Sequence, residues 1–318
     1  MRNTFAKFLL REAKKDDSIL LITGDLGFGV LDDFQKERPG QFINAGVAEQ
    51  SMMSLSAGLA SQGYRPFVYS IANFPTFRCL EQIRNDVCYM NNPVTIVSVG
   101  AGLSYGVHGY THHAVEDVSI IRALPNMSLY SPSDQSETEY CLQSILSARK
   151  PSYLRLGKGG ESNLQNGLQR QISDATVYQH GRDGVLCWTG AIGANVVKAA
   201  ELLKNWNVIP TLISVPVLSA NSLRQVLTTA AGSPILSIEE HVLPGGLGSW
   251  LLEIAADQRY LGLIDRLGLT DQVNSQIGSQ AYLIEKANLD PNSIADKFIS
   301  LKDFSHVMNS HHLNAEEN

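Results

Sequence analysis

Cysteine is scarce and scattered. Its four occurrences in 318 residues, Cys79, Cys88, Cys141 and Cys187, lie far apart with no C-x-x-C pair. That excludes a disulfide scaffold, offers no zinc or redox motif, and suits reduced thiols in a cytoplasm. Proline is also sparse, 12 residues against 26 glycines, and 44% of the chain is hydrophobic, which rules out disordered and collagen-like classes. No apolar run approaches the roughly 18 residues that a membrane-crossing helix needs. The start, Met1 to Lys15, is an amphipathic charged stretch rather than a signal peptide. A basic surplus is missing too, the formal net charge being -6. The electrostatic footprint of a nucleic-acid or anionic-membrane binder is therefore absent, whereas a small neutral or anionic metabolite needs only a local cation.

What is present is an alternation of apolar β-rich runs with helix-period segments, the pattern of a parallel sheet covered by helices. The fold class expected is α/β, with two doubly wound, parallel or mostly parallel sheet domains. Strands are expected near Ile19–Thr23, Phe67–Ile71, Val94–Val99, Ser128–Ser131 and Tyr153–Leu156, with helices near Thr4–Lys14, Gly46–Gln62, Thr76–Met90, Glu116–Ala123 and Asp134–Ala148. After a polar, Gly/Gln/Asn-rich linker at Gly157–Ser173, strands return near Val185–Trp188, Ile209–Val215 and Ile235–Glu239. Helices follow near Ala191–Leu203, Ser222–Ala230, Leu247–Ala256 and Ser293–Ser300. The domains are placed at 1–165 and 174–308, with a frayed polar tail over 309–318 and no internal repeat.

In an open parallel sheet, ligands bind outside the carboxyl ends of the strands, and the loops there hold nearly all the unusual residues. They are Gly24-Asp25-Leu26-Gly27-Phe28-Gly29, Asn73-Phe74-Pro75-Thr76-Phe77-Arg78, Gly100 through His113, and Gly157-Lys158-Gly159-Gly160. Gly100-x-Gly102-x-x-x-Gly106 is one residue too long for a dinucleotide fingerprint, and no helix is expected directly behind it. His112 and His113 are adjacent and point in different directions, with no further ligand spaced to complete a metal site, so none is expected. One histidine facing a polar cleft as acid, base or hydrogen-bond donor is the better use. Glu49 opens a helix rich in Ala, Ser and Gly, whose small side chains let another backbone approach closely, and the helix dipole favours a carboxylate in that first turn.

Taken in order, Asn44-Ala-Gly-Val-Ala-Glu49-Gln50, Gly63-Tyr-Arg-Pro66, Thr111-His112-His113-Ala-Val-Glu116-Asp117 and Arg122-Ala-Leu-Pro125-Asn126 resemble the pyrimidine-binding domain of transketolases and 1-deoxyxylulose-5-phosphate synthases. Ser131-Pro-Ser-Asp134 and Tyr153-Leu-Arg-Leu-Gly-Lys158 continue the likeness. Glu239-Glu240-His241, with Gly245-Gly246 before a helix, is similar to the C-terminal domain of those enzymes. The resemblance covers nearly the whole chain.

It implies thiamine diphosphate as cofactor and transfer of a two-carbon ketol unit from a ketose to an aldehyde acceptor. By position, Glu49 is the glutamate bonded to the pyrimidine ring nitrogen, Phe74 and Phe77 pack against the pyrimidine, and Asp25 is an acidic residue near the cofactor. His112 is the histidine at the substrate oxygen of the reacting carbon, so Glu49 and His112 are the expected catalytic residues. Substrate contacts are expected from His112, His108, Lys158 and Arg155. Lys158 replaces the arginine that relatives use for a sugar phosphate, His108 stands where transketolases carry an aspartate that reads hydroxyl stereochemistry, and Gly100 falls where they carry a second phosphate-binding histidine. A point charge does not give the bidentate grip of a guanidinium. The substrate expected is therefore a modified, non-phosphorylated or carrier-linked sugar.

Full-length relatives bind magnesium and the diphosphate in a separate N-terminal domain through a Gly-Asp-Gly motif. Gly24-Asp25-Leu26-Gly27 is not that motif. The resemblance thus implies an N-terminal transketolase subunit as partner that holds the metal, with self-association through the pyrimidine domain, an α2β2 assembly, and no activity alone. Rival readings are the β subunit of a 2-oxoacid dehydrogenase, a 1-deoxyxylulose-5-phosphate synthase-like enzyme, and a non-catalytic partner subunit. Thr111-His112 with Arg122 and Pro125-Asn126 favours the transketolase side over the first, and retention of Glu49 together with His112 argues against the last.

Overall fold

The structure, a computed structural model, describes residues 1–164, 171–270 and 276–316, with side chains to Ser305 and at Val307. The strands are β1 (Ile19–Thr23), β2 (Phe42–Asn44), β3 (Arg65–Ile71), β4 (Thr95–Val99), β5 (Ser128–Tyr130), β6 (Ser152–Leu156), β7 (Thr176–Gln179), β8 (Val185–Thr189), β9 (Thr211–Ser214), β10 (Val217–Leu218), β11 (Ile235–Val242) and β12 (Ile264–Leu269). They form two sheets, ordered β10-β5-β6-β4-β3-β1-β2 and β12-β11-β8-β9-β7. Every pairing is parallel except β10 on β5 and β7 on β9. This is the expected α/β class. The central strands β1, β4, β6 and β8 are buried at every residue, which is why they read as strands directly from their apolar runs.

Departures from the expected elements fall where the apolar signal is short or interrupted. Phe42–Asn44, where no strand is expected, is the edge strand β2, and Gly46, at φ 70°, turns the chain before the helix Glu49–Ser61. The single helix expected over Thr76–Met90 is broken into turns at Asn73–Thr76 and Leu80–Gln82 and a π-helical segment Ile83–Tyr89. Pro75 has no amide to donate, and Cys79, at φ -109°, interrupts the helical path before it restarts. Strands β7, β10 and β12 were not expected: the first and last are sheet edges, β12 carries Asp265 and Arg266, and β10 has only 2 residues. The last helix runs from Pro291 to Glu316, so the tail expected to fray is helical in its backbone up to Glu316. The side chains of 308–316 and the final two residues lie outside the described ones.

The two halves are joined through their cores. One apolar cluster runs from Leu20 and Ile22 past Val118 and Leu129 to Val215, Leu218 and Leu251. Strand β10 adds antiparallel to the first sheet, Val217 facing Tyr130 and Leu218 facing Leu129. Near the expected linker, Leu164 N donates to Asp134 Oδ2 at 3.0 Å; residues 165–170 of that linker lie outside the described ones. Among the described residues, no helix is long and apolar enough to cross a membrane.

Candidate active site

The site is assembled from the loops that follow β1, β3, β4 and β6. After β1 the chain is tied to β2. Asn44 Nδ2 donates to Asp25 Oδ1 at 3.1 Å, and Asn44 Oδ1 accepts from Asp25 N and Gly46 N, each at 3.0 Å. Gly24 permits the close approach, since a Cβ there would lie 3.2 Å from Gly46 O and 3.9 Å from Glu49 Cγ. These contacts seat Glu49 as the first residue of its helix, where free amides and the dipole favour a carboxylate. Glu49 is 5% exposed. Its partner is Arg78, whose Nη1 donates to Glu49 Oε1 at 3.0 Å while 51% of the arginine side chain faces solvent.

From Arg78 a run of ring contacts leads along the rim. The guanidinium lies 4.3 Å from the Phe74 ring centre. Phe74 meets the His112 ring edge-on at 5.4 Å, and His112 stands 5.0 Å from His108. Both histidines flank Tyr105, over whose ring Lys158 Nζ sits at 4.8 Å. Phe77 joins Phe74 and Arg78 in a cleft of about 340 Å³ that Asn73, Tyr110, Thr111, His113 and Glu116 complete. Burial first, then the charges of His108 and Arg78, hold the His112 imidazole below its usual range, which favours the neutral ring. Thr111 Oγ1 lies 3.0 Å from His112 Nδ1; with the hydroxyl as donor, the ring proton sits on Nε2. His113 is buried, with Nε2 3.4 Å from Gly106 O.

Asp25, Glu49, Phe74, Phe77, His108, His112 and Lys158 thus share one rim. Arg155 does not. It was expected at the substrate, yet it is 3% exposed, because strand β6 turns it inward. Its Nε donates to Asp117 Oδ2 at 2.9 Å, and its Nη2 donates to Ala114 O at 2.8 Å and Glu240 O at 3.0 Å. Tyr153 OH completes the pocket by donating to Asp117 Oδ2 at 2.8 Å. Arg155 is a pillar beneath the rim.

Two site residues carry no role in the sequence reading. Arg78 had a visible signal as a cation directly after Phe77, but nothing in spacing says that it meets Glu49. Asn73 is 9% exposed. Its Nδ2 donates to Thr111 O at 2.9 Å, and its Oδ1 is buried with no hydrogen-bond partner among the described residues. Among the described residues no cluster of three or more His, Cys, Asp or Glu could hold a metal.

Residues 1–160 match the family described as transketolase, pyrimidine binding domain. The chain is 30% identical over 298 residues to the 6-deoxy-6-sulfo-D-fructose transketolase subunit of Clostridium sp. (strain MSTE9), covering 90% of this chain and 92% of that protein. It is 32% identical over 306 residues to 1-deoxy-D-xylulose-5-phosphate synthase 2 of Geobacter sulfurreducens, covering 93% of this chain and 48% of the synthase, so it spans about half the length of that relative. Among solved structures, a split gene transketolase described as an inactive beta4 tetramer superposes with a TM-score of 0.83 at 26% identity, covering 96% of this chain and 98% of that one. The arrangement of a buried helix-start carboxylate beside a histidine-bearing rim is therefore found in a chain that belongs to the transketolase family.

Proposed function

We propose that this chain is the C-terminal subunit of a thiamine-diphosphate-dependent transketolase, which with a separate N-terminal subunit transfers a two-carbon ketol unit from a ketose to an aldehyde. The observation that carries the reading is Glu49, a buried carboxylate at a helix start that opens beside the Phe74 and Phe77 cleft. The residues fit the pyrimidine end of the cofactor. The carboxylate is paired with half-exposed Arg78, whose guanidinium also lies over the Phe74 ring, and Asn73 Oδ1, buried with no hydrogen-bond partner among the described residues, offers an acceptor for a ligand N–H.

When bound, thiamine diphosphate supplies the nucleophilic carbon and the electron sink for breaking and making the ketose carbon–carbon bond. Glu49, buried at the start of its helix, would hold a proton at the pyrimidine ring nitrogen. Phe74 and Phe77 orient the ring. His112, which carries its ring proton on Nε2 when the Thr111 hydroxyl donates to Nδ1, donates to the substrate oxygen at the reacting carbon, and His108 and Lys158 contact the rest of the sugar. Magnesium and the diphosphate would be held by the partner subunit. The exposed small-residue face of the Glu49–Ser61 helix, including Ser51, Ser54 and Gly58, fits close packing against a second copy in an α2β2 enzyme.

Lys158 offers one point charge where a bidentate cation would grip a phosphate. A modified, non-phosphorylated or carrier-linked sugar fits this rim better than the common pentose phosphates, and one relative is named for a sulfo-sugar. The reading is tested by co-expression with a transketolase N-terminal subunit. Ketol transfer is expected from the mixture and not from this chain alone. Decarboxylation of pyruvate without ketol transfer would favour a synthase-like enzyme, the reading to which the 32% identical relative points.

A further inference from the structure

The loop that carries His108 and His112 is anchored by the second half of the chain. Glu240, near the carboxyl end of β11, is buried. Its Oε1 accepts from Leu103 N at 2.6 Å, and Gln280 Nε2 donates to its two oxygens at 2.9 and 3.2 Å. A hydrogen bond from a backbone amide to a buried carboxylate is of the stronger, charge-assisted kind. Gly102 makes the approach possible: its φ is +61°, and a Cβ there would stand 2.6 Å from Glu240 Cδ.

The anchored turn passes its position on through main-chain bonds. Gly106 N donates to Leu103 O at 2.8 Å, His108 N to Tyr105 O at 2.8 Å, and His112 N to Gly109 O at 3.0 Å. Past the histidines the chain returns to the same strand end, where Arg155 Nη2 bonds both Ala114 O and Glu240 O. Glu240 therefore holds the loop at Leu103, and Arg155, which also donates to the Glu240 carbonyl, holds it at Ala114.

We infer that Glu240 is a positioning residue that acts through the Leu103 amide to set where His108 and His112 stand on the rim, so that the second domain fixes the histidine geometry of the first. The importance of those histidines rests on the function proposed above, but the positioning does not.

The test uses the full chain alone, so failure of the transketolase reading leaves it intact. Amide exchange over Leu103–His112 and the ring NMR signals of His112 are compared in Glu240→Ala, Glu240→Gln and Gly102→Ala. Glu240→Ala is expected to exchange at least roughly tenfold faster across this loop and to move the His112 signals, with the Glu49–Ser61 helix unchanged. Glu240→Gln keeps an acceptor for Leu103 N–H and is expected to restore both. Gly102→Ala pushes the carboxylate away without deleting a polar group and is expected to reproduce Glu240→Ala. Wild-type exchange and His112 signals in Glu240→Ala or Gly102→Ala would overturn the inference. So would Glu240→Gln behaving as alanine does, or loss of the cooperative melt in both Glu240→Ala and Gly102→Ala, since the role assigned is confined to this loop.

Discussion

Arg78 Nη1 reaches Glu49 Oε1 at 3.0 Å while its guanidinium rests on Phe74, so one cation covers the buried carboxylate and the neighbouring ring together. A pyrimidine nitrogen that approaches Glu49 has to share or displace that contact. The displacement is easy because the arginine is half in water, where ion pairs contribute about 0.2–1 kcal/mol. Arg78→Ala is accordingly expected to lower unfolding free energy by less than about 1 kcal/mol in urea denaturation.

Glu49→Gln keeps the shape of the side chain and removes the carboxylate. In the reconstituted two-subunit enzyme it is expected to reduce ketol transfer by about 10²- to 10⁴-fold, while the thermal melt of the subunit stays near that of the parent. Full activity in the variant would support a docking role for this chain.

Arg155→Met should behave as a lesion of the core. It strands Asp117, which is 0% exposed, without its cation, and a broken buried pair costs about 3–5 kcal/mol. The expected result is a large drop in unfolding free energy, eased in the double variant with Asp117→Asn. A change confined to KM with unaltered stability would return Arg155 to the substrate.

Three buried groups give stability an unusual dependence on pH. Burial raises Glu137 and Glu239 to about 7 from 4.5, so the folded chain binds more protons than the unfolded one in that window, and their contribution to stability declines as pH rises through it. Burial lowers His241 to about 4 from 6.5. Its contribution is therefore present above the unfolded value and is lost as pH falls toward the folded one. The slopes oppose each other. His241→Gln, which can keep the bonds to Val242 O and Ser119 N, removes one of them. Its urea midpoint is expected to fall steadily as pH is raised across the window of the two glutamates, where the parent varies less.

The sequence carried the central strands and the rim because both have strong local signatures. Ile19–Ile22 is a continuous apolar run, and the parallel pairing of β1 to β6 places their post-strand loops at one end of the first sheet. Glu49, Phe74 and His112 were legible through ordered motifs. The pairing of Arg78 with Glu49, the buried setting of Asn73 and the inward turn of Arg155 were not, because each depends on groups 29 to 85 residues apart in sequence. Strands β7 and β12 were missed because sheet edges carry weaker apolar patterns, and β10 because 2 residues carry no period.

Strand β10 has a consequence for how this polypeptide can be divided. Val217 and Leu218 sit beyond the midpoint of the chain yet close the flank of the earlier sheet at Tyr130 and Leu129. A fragment stopped before them would bare a row of unsatisfied amides and carbonyls ready to adhere to any passing strand. Calorimetry on the intact chain is accordingly expected to record one transition instead of two.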